Sequence, residues 1–131
     1  MNYFGKRTKM MDEDKILCSL QFALENRLEM FLSYTKSYPN ISHIKANSPK
    51  DAWVFDDIEN IDLLFIDSNH DYDTIMSNLK YWKNKVKFDG IICGHDYHFS
   101  GEKQAVDEFA KKNNYFLETN VFNSNFWIMQ K

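Results

Sequence analysis

The stretch from Ile61 to Phe109, IDLLFIDSNHDYDTIMSNLKYWKNKVKFDGIICGHDYHFSGEKQAVDEF, decides the fold. It opens on IDLLFI, from Ile61 to Ile66, a nearly continuous apolar run of strand length. Such runs suit parallel strands covered on both faces. Asp71 can cap the next helix, expected from Tyr72 to about Val86, where Tyr72, Ile75, Met76, Leu79, Trp82 and Val86 share one face. Asp89-Gly90 marks a turn, and Ile91 to Cys93 reads as a second buried strand. Gly101 to Lys112 reads as a further helix with Ala105, Val106, Phe109 and Ala110 inward.

Outward from this stretch the pattern continues. Asp12 to Tyr38 reads as a helix, because Leu17, Leu20, Leu24, Leu28, Phe31 and Tyr34 recur at steps of three and four. Pro39 and Asn40 end it. Ile41 to Ala46 alternates weakly and predicts a short strand. Ser48-Pro49 can open a short helix that buries Ala52, Trp53 and Phe55. Tyr115 to Glu118 and Phe126 to Met129 read as two last strands, joined as an antiparallel hairpin through an Asn-rich turn. Helices and strands alternate, which argues for an α/β fold in a single domain over residues 1–131: a mostly parallel sheet of about five strands with helices on both faces.

Composition narrows the function. Hydrophobic residues make up 44% and aromatics 16% of the 131 residues, so the chain can bury a core. The net charge of -3, without a local Lys/Arg cluster, argues against nucleic acid as a partner. No apolar run approaches the ~18 residues of a membrane span. Cys18 and Cys93 fit no metal or disulfide framework, and a reduced cytoplasmic setting is the default expectation. The four glycines, Gly5, Gly90, Gly94 and Gly101, form no G-x-G and no phosphate loop.

In open α/β sheets ligands bind beyond the carboxyl ends of the strands. Two such ends carry the polar residues: Asp67-Ser68-Asn69-His70-Asp71-Tyr72 after the first strand, and Gly94-His95-Asp96-Tyr97-His98 after the second. Neighbouring strands lie ~4.8 Å apart, so Asp67, His70, His95 and Asp96 can converge.

The same stretch resembles a family of class I methyltransferases that includes the macrocin-type sugar O-methyltransferases. Their pattern is a strand ending F-I-D-G/A-D/N-H-x-Y, a helix with a Trp, a Pro-Gly turn, then I-x-G-H-D-Y and a helix A-V-x-x-F. Phe65-Ile66-Asp67, His70, Tyr72, Trp82, Gly90, Gly94-His95-Asp96-Tyr97, Ala105-Val106 and Phe109 stand in register with it. A weaker match through Ile41 to Ser48 extends the resemblance over roughly residues 12 to 131.

The resemblance implies a truncated Rossmann-like methyltransferase fold. Such folds order their strands 3-2-1-4-5-7-6, with a glycine-rich loop after the first strand and a ribose-binding acid after the second. Neither is present here, and both are expected upstream of Met1, as a missing N-terminal βαβ unit. By the same resemblance Asn47 and Ser48 would lie near the adenine of S-adenosylmethionine, and Asp67 near its methionine end and the acceptor. Asp67, His95 and Asp96 match the positions that hold a divalent cation, Mn or Mg, in metal-dependent relatives. His70 can deprotonate an acceptor hydroxyl, since histidine titrates near neutral pH.

Each residue also has a plainer role open to it. Asp67, His70, His95 and Asp96 can brace their loops, Asn47 and Ser48 can start the next helix, and Tyr72, Trp82 and Phe109 suit the core. Two functions stay open: O-methyl transfer to a small molecule or glycan, and a non-catalytic remnant acting as an oligomerising or partner-binding module. A metal-dependent hydrolase on Asp67, His70, His95 and Asp96 has no supporting spacing. Loss of the first two family strands predicts an open edge on the strand from Ile61 to Ile66. Either the strand from Ile41 to Ala46 moves across to cover it, or a homo-oligomer or other partner does.

Overall fold

The computed structural model of the protein describes residues 2–8, 15–21, 26–121 and 123–131, with residues up to 27 and Ala52 described by their backbone. The elements are β1 (Asn2–Thr8), β2 (Lys15–Gln21), α1 (Asn26–Thr35), β3 (Ile41–Ala46), β4 (Ile61–Asp67), α2 (Tyr72–Trp82), β5 (Val86–Gly94), α3 (Ser100–Asn113), β6 (Phe116–Val121) and β7 (Phe126–Gln130). Short 3-10 turns at Ala52–Phe55 and Lys83–Lys85 complete the path. Among the described residues no helix is long and apolar enough to cross a membrane.

One mixed sheet runs β3-β1-β2-β4-β5-β7-β6. β2, β4 and β5 are parallel neighbours, while β1 is antiparallel to both β2 and β3. β7 is antiparallel to both β5 and β6. The α/β class and the closing hairpin match the sequence reading. The mostly parallel sheet of about five strands does not, because four of the six pairings are antiparallel.

The difference begins at the N-terminus. The helix expected over Asp12 to Tyr38 is confined to α1, and residues 15–21 are strand; residues 12–14 and 22–25 lie outside the described residues. The segment KILCSLQ fits either period, since Ile16, Cys18 and Leu20 alternate while Leu17 and Leu20 are three apart. Seven residues cannot separate a strand from a helical turn by periodicity, and pairing with β4 settles the choice. β2 therefore covers the edge of β4 from within the same chain. β3 stays at the far edge beside β1 and does not cross to β4. The open edge that called for a partner is thus closed at β4.

The right half of the sheet, β4-β5-β7-β6, keeps the order the resemblance implies, and β3 keeps its edge. β1 and β2 stand in the two positions of the family's second and first strands, with β1 running the opposite way.

Two smaller expectations fail for local reasons. Asp89-Gly90 is no turn; it lies inside β5, where the register with β4 shifts between Ile61 and Leu63. A β-bulge lets the strand carry an unpaired stretch and bend. Trp53, expected inward, is 75% exposed, whereas Phe55 of the same turn is fully buried, its ring 5.0 Å from that of Trp82. Asp71 does cap α2, accepting from the Thr74 N–H at 2.9 Å.

The core lies where α2 and α3 pack together on the sheet. Leu64, Ile66, Ile92, Trp127 and Met129 of the sheet meet Ile75, Leu79 and Trp82 of α2 and Val106 and Phe109 of α3, all essentially fully buried. Each such aliphatic side chain contributes about 1.5–3 kcal/mol of burial free energy.

Two glycines permit close approach at the end that matters for ligands. A Cβ on Gly94 would stand 2.4 Å from Trp127 Cζ2 and 2.6 Å from the Ile66 carbonyl. One on Gly101 would stand 2.7 Å from the His70 carbonyl and 2.8 Å from the Tyr72 nitrogen. Gly94→Ala is therefore expected to destabilise the protein by roughly 1–3 kcal/mol in chemical denaturation. Phe88→Ala, at a side chain 83% exposed, is expected to change it by less than ~0.5 kcal/mol. Equal effects of the two would contradict this packing.

Candidate functional site

The carboxyl ends of β4 and β5 lie side by side, with Ile66 paired to Gly94. The loops that follow them supply the acid–base residues, and the N-terminal turn of α3 closes the group from above, seated on the loop after β4 through Gly101.

His70 sits at the centre. Its Nδ1 lies 3.0 Å from Glu102 Oε2, and its Nε2 lies 3.7 Å from Asp96 Oδ2. The latter is within ion-pair range but long for a hydrogen bond. The ring stacks on Phe99 with centroids 4.4 Å apart and planes 4° from parallel, and His98 packs on Phe99 at 4.1 Å.

Glu102 is a carboxyl group only 1% exposed. Its Oε1 accepts from the Trp127 indole N–H at 2.8 Å. Burial pushes its pKa up, and the hydrogen bonds from Trp127 and His70 oppose that. No motif in the sequence flags Glu102. Its signal is positional: Glu102 falls on the buried stripe it shares with Ala105, Val106 and Phe109, where an acid is out of place unless it is paired.

Asp96 collects the remaining histidines. Its Oδ1 lies 3.0 Å from His95 Nδ1 and 3.9 Å from His98 Nδ1. Its backbone adopts φ 67°, a left-handed conformation that carries strain for a residue with a Cβ. Such strain tends to cluster at functional sites. Tyr97 anchors the loop, donating from its hydroxyl to Asp107 at 2.6 Å while accepting from Lys103 at 2.8 Å. Asp67, at the tip of β4, is half-buried; burial raises its pKa first and the Asp96 charge adds to this, against His70 and His95.

The structure brings Asp67, His70, His95 and Asp96 to one edge, as the strand order requires. It does not shape them into a metal centre: among the described residues no three His, Cys, Asp or Glu side chains are arranged to hold an ion. His95 Nδ1 is engaged with Asp96 instead.

The residues assigned to the adenine follow β3, which stands three places from β4 in the sheet. Ser48 is buried, its hydroxyl donating to Asn78 Oδ1 at 2.6 Å and accepting from Trp82 Nε1 at 2.9 Å. It fastens the chain to α2, so its hydroxyl is not offered to a ligand. Asn47 is exposed, with its backbone N–H donating to Asp51 Oδ2 at 2.8 Å. β2, which stands where the family carries the strand before its glycine-rich loop, contains no glycine, nor do the four residues after it. The Ser48 hydroxyl is thus spent within the core, and the sequence after β2 brings no glycine to a cofactor loop.

An open cleft beside the cluster is lined by Asn69, His70, Phe99, Ser100 and Gly101. A more enclosed groove between α2 and α3 is lined by Lys80, Lys83 and Lys112. Those lysines complement the C-terminal ends of the two helices and meet no histidine, so the acid–base chemistry belongs to the cleft.

With this geometry in place, the family comparison is direct. The model of a family described as a methyltransferase domain matches residues 9–97, about two thirds of the chain, and includes both loops of the cluster up to Tyr97. No curated protein matches the chain.

The raised pKa of Asp67 gives a signed prediction. A carboxyl whose folded pKa lies above its unfolded value binds more protons when folded, so its contribution to stability declines as pH rises from the unfolded value through the folded one. Asp67→Asn removes that dependence. The variant is expected to melt higher than the wild type at pH 7 and to lose this advantage as pH falls below the ordinary carboxylate range. A variant melting lower than the wild type at pH 7 would contradict the burial and Asp96 repulsion assigned to Asp67.

Proposed function

The chain belongs to the methyltransferase-domain family, and we propose that it carries the acceptor side of an O-methyl-transfer site for a small molecule or glycan. The family generally uses S-adenosylmethionine as its methyl donor. The observation that carries the reading is His70, fixed at the carboxyl edge of the sheet beside Asp67 and open to the cleft.

The chemistry assigned to this chain's residues is proton transfer and placement. An acceptor hydroxyl in the cleft gives its proton to His70, so the O–H bond breaks and an N–H bond forms. A positioned histidine contributes typically 10²–10⁴-fold to such a step. Asp67 accepts a hydrogen bond from a second hydroxyl of the acceptor and orients it. Ser68 supports a ligand here as well: its buried hydroxyl, next to Asp67, has no partner among the described residues, and an unmet buried hydroxyl costs about 1–3 kcal/mol.

A second reading rests on the glycine-free β2. With the adenine side unformed by these residues, the same fold can serve as a partner-binding module without turnover.

Calorimetry with S-adenosylmethionine and S-adenosylhomocysteine separates the two. A half-formed cradle is expected to bind weakly but saturably, above ~1 μM and thus weaker than about -8 kcal/mol, with binding lost in Asp67→Ala. Absence of binding at millimolar cofactor would rule out methyl transfer by this chain and leave the module.

A further inference from the structure

We infer that Glu102 is a positioning residue for His70: paired with Trp127, it fixes the imidazole proton on Nδ1 and leaves Nε2, on the Asp96 side of the ring, as the basic nitrogen. The inference rests on the proposed role of His70 as base. Glu102 is no part of the motif that the chain shares with the family; it stands three residues ahead of the Ala105-Val106 pair.

An indole N–H can only donate, so Glu102 Oε1 must accept from Trp127 at 2.8 Å. That leaves Oε2, 3.0 Å from His70 Nδ1. As a carboxylate Glu102 has only acceptor capacity, and in that form it requires the proton on Nδ1. Nε2 then holds the lone pair, on the side of Asp96. The ring cannot easily turn to exchange its nitrogens, because it lies flat against Phe99. Trp127 is itself fully buried in β7, which pairs with β5 at Gly94, so the whole relay is anchored in the sheet.

The consequence for the reaction is directional. The acceptor proton goes to Nε2, and the resulting imidazolium sits between the carboxylates of Glu102 and Asp96. A hydroxyl that is to lose its proton must therefore approach from the Asp96 side of the ring.

Glu102→Gln tests this with almost no change of shape. Trp127 still needs an acceptor and takes the amide oxygen. The amide NH2 then faces Nδ1, which must become the acceptor, and the proton moves to Nε2. In the full chain at pH 8, the two ring nitrogens of His70 are read by long-range 1H–15N correlation. The expected result is a protonated Nδ1 in the wild type and a protonated Nε2 in Glu102→Gln. A wild-type proton on Nε2, or a variant spectrum with the same tautomer as the wild type, overturns the positioning role. Both tautomers as expected, with methyl transfer insensitive to His70→Ala, supports the positioning role and overturns the base reading instead. A merely structural Glu102 would leave the tautomer where it was.

Discussion

The buried carboxylate of Glu102 is the contact on which the functional end of this molecule depends. One side chain, 1% exposed, joins three parts of the fold: α3 that carries it, β7 through Trp127, and the loop after β4 through His70. Burying a carboxylate is costly unless its oxygens are met by donors. Here both oxygens are met, and each bond also locates the group that makes it. Gly94 and Gly101 let the surrounding backbones come close enough for this to happen, since a Cβ at either would strike Trp127 or the His70 loop. The energetic demand of one buried acid thus organises the geometry of the histidine it faces.

The sheet explains why chemistry gathers at this place. β4 and β5 run parallel with their carboxyl ends together, so the polar loops that follow them are neighbours in space although they lie some 25 residues apart in sequence. Asp96, with its left-handed backbone, turns its carboxylate to within reach of three histidines. On the other flank the sheet is completed differently from what the family pattern implies. β1 and β2 supply two strands from the N-terminal residues, restoring the strand count, but the sequence of β2 and of the four residues after it brings no glycine-rich loop. The protection of the β4 edge and the construction of a cofactor cradle are separate tasks, and the described residues accomplish the first.

Much of the right half of the fold was legible in the sequence because its signals were long or unambiguous. IDLLFI had the length and nearly continuous apolar character that suit a covered strand, Asp71 stood where a cap was needed, and the stripe Ala105, Val106 and Phe109 marked α3. What misled was short or depended on partners. KILCSLQ satisfies both periods, and only its pairing with β4 makes it a strand. Asp89-Gly90 has turn chemistry but lies in a bulged strand, where the backbone needs a small residue: a Cβ on Gly90 would stand 2.6 Å from Val86 Cγ1 and 2.9 Å from the Ile61 carbonyl. Of the candidate site, Asp67, His70, His95 and Asp96 were visible as polar residues at strand ends. Glu102 was not, because a single acid on a helix is ordinarily solvated, and its burial is created by Trp127, 25 residues later. Ser48 misled in the opposite sense: a hydroxyl at a loop start looks available, whereas its partners Asn78 and Trp82 consume it in the core.

The indole N–H of Trp127 reports most directly on the central contact. In a 1H–15N spectrum it is predicted to exchange with deuterium only as slowly as the core amides of β5 and β7, and to shift and lose that protection in Glu102→Ala. An indole N–H that exchanges within minutes in the wild type, or that is unchanged by Glu102→Ala, would contradict the claim that the buried carboxylate ties β7 and α3 to the histidine.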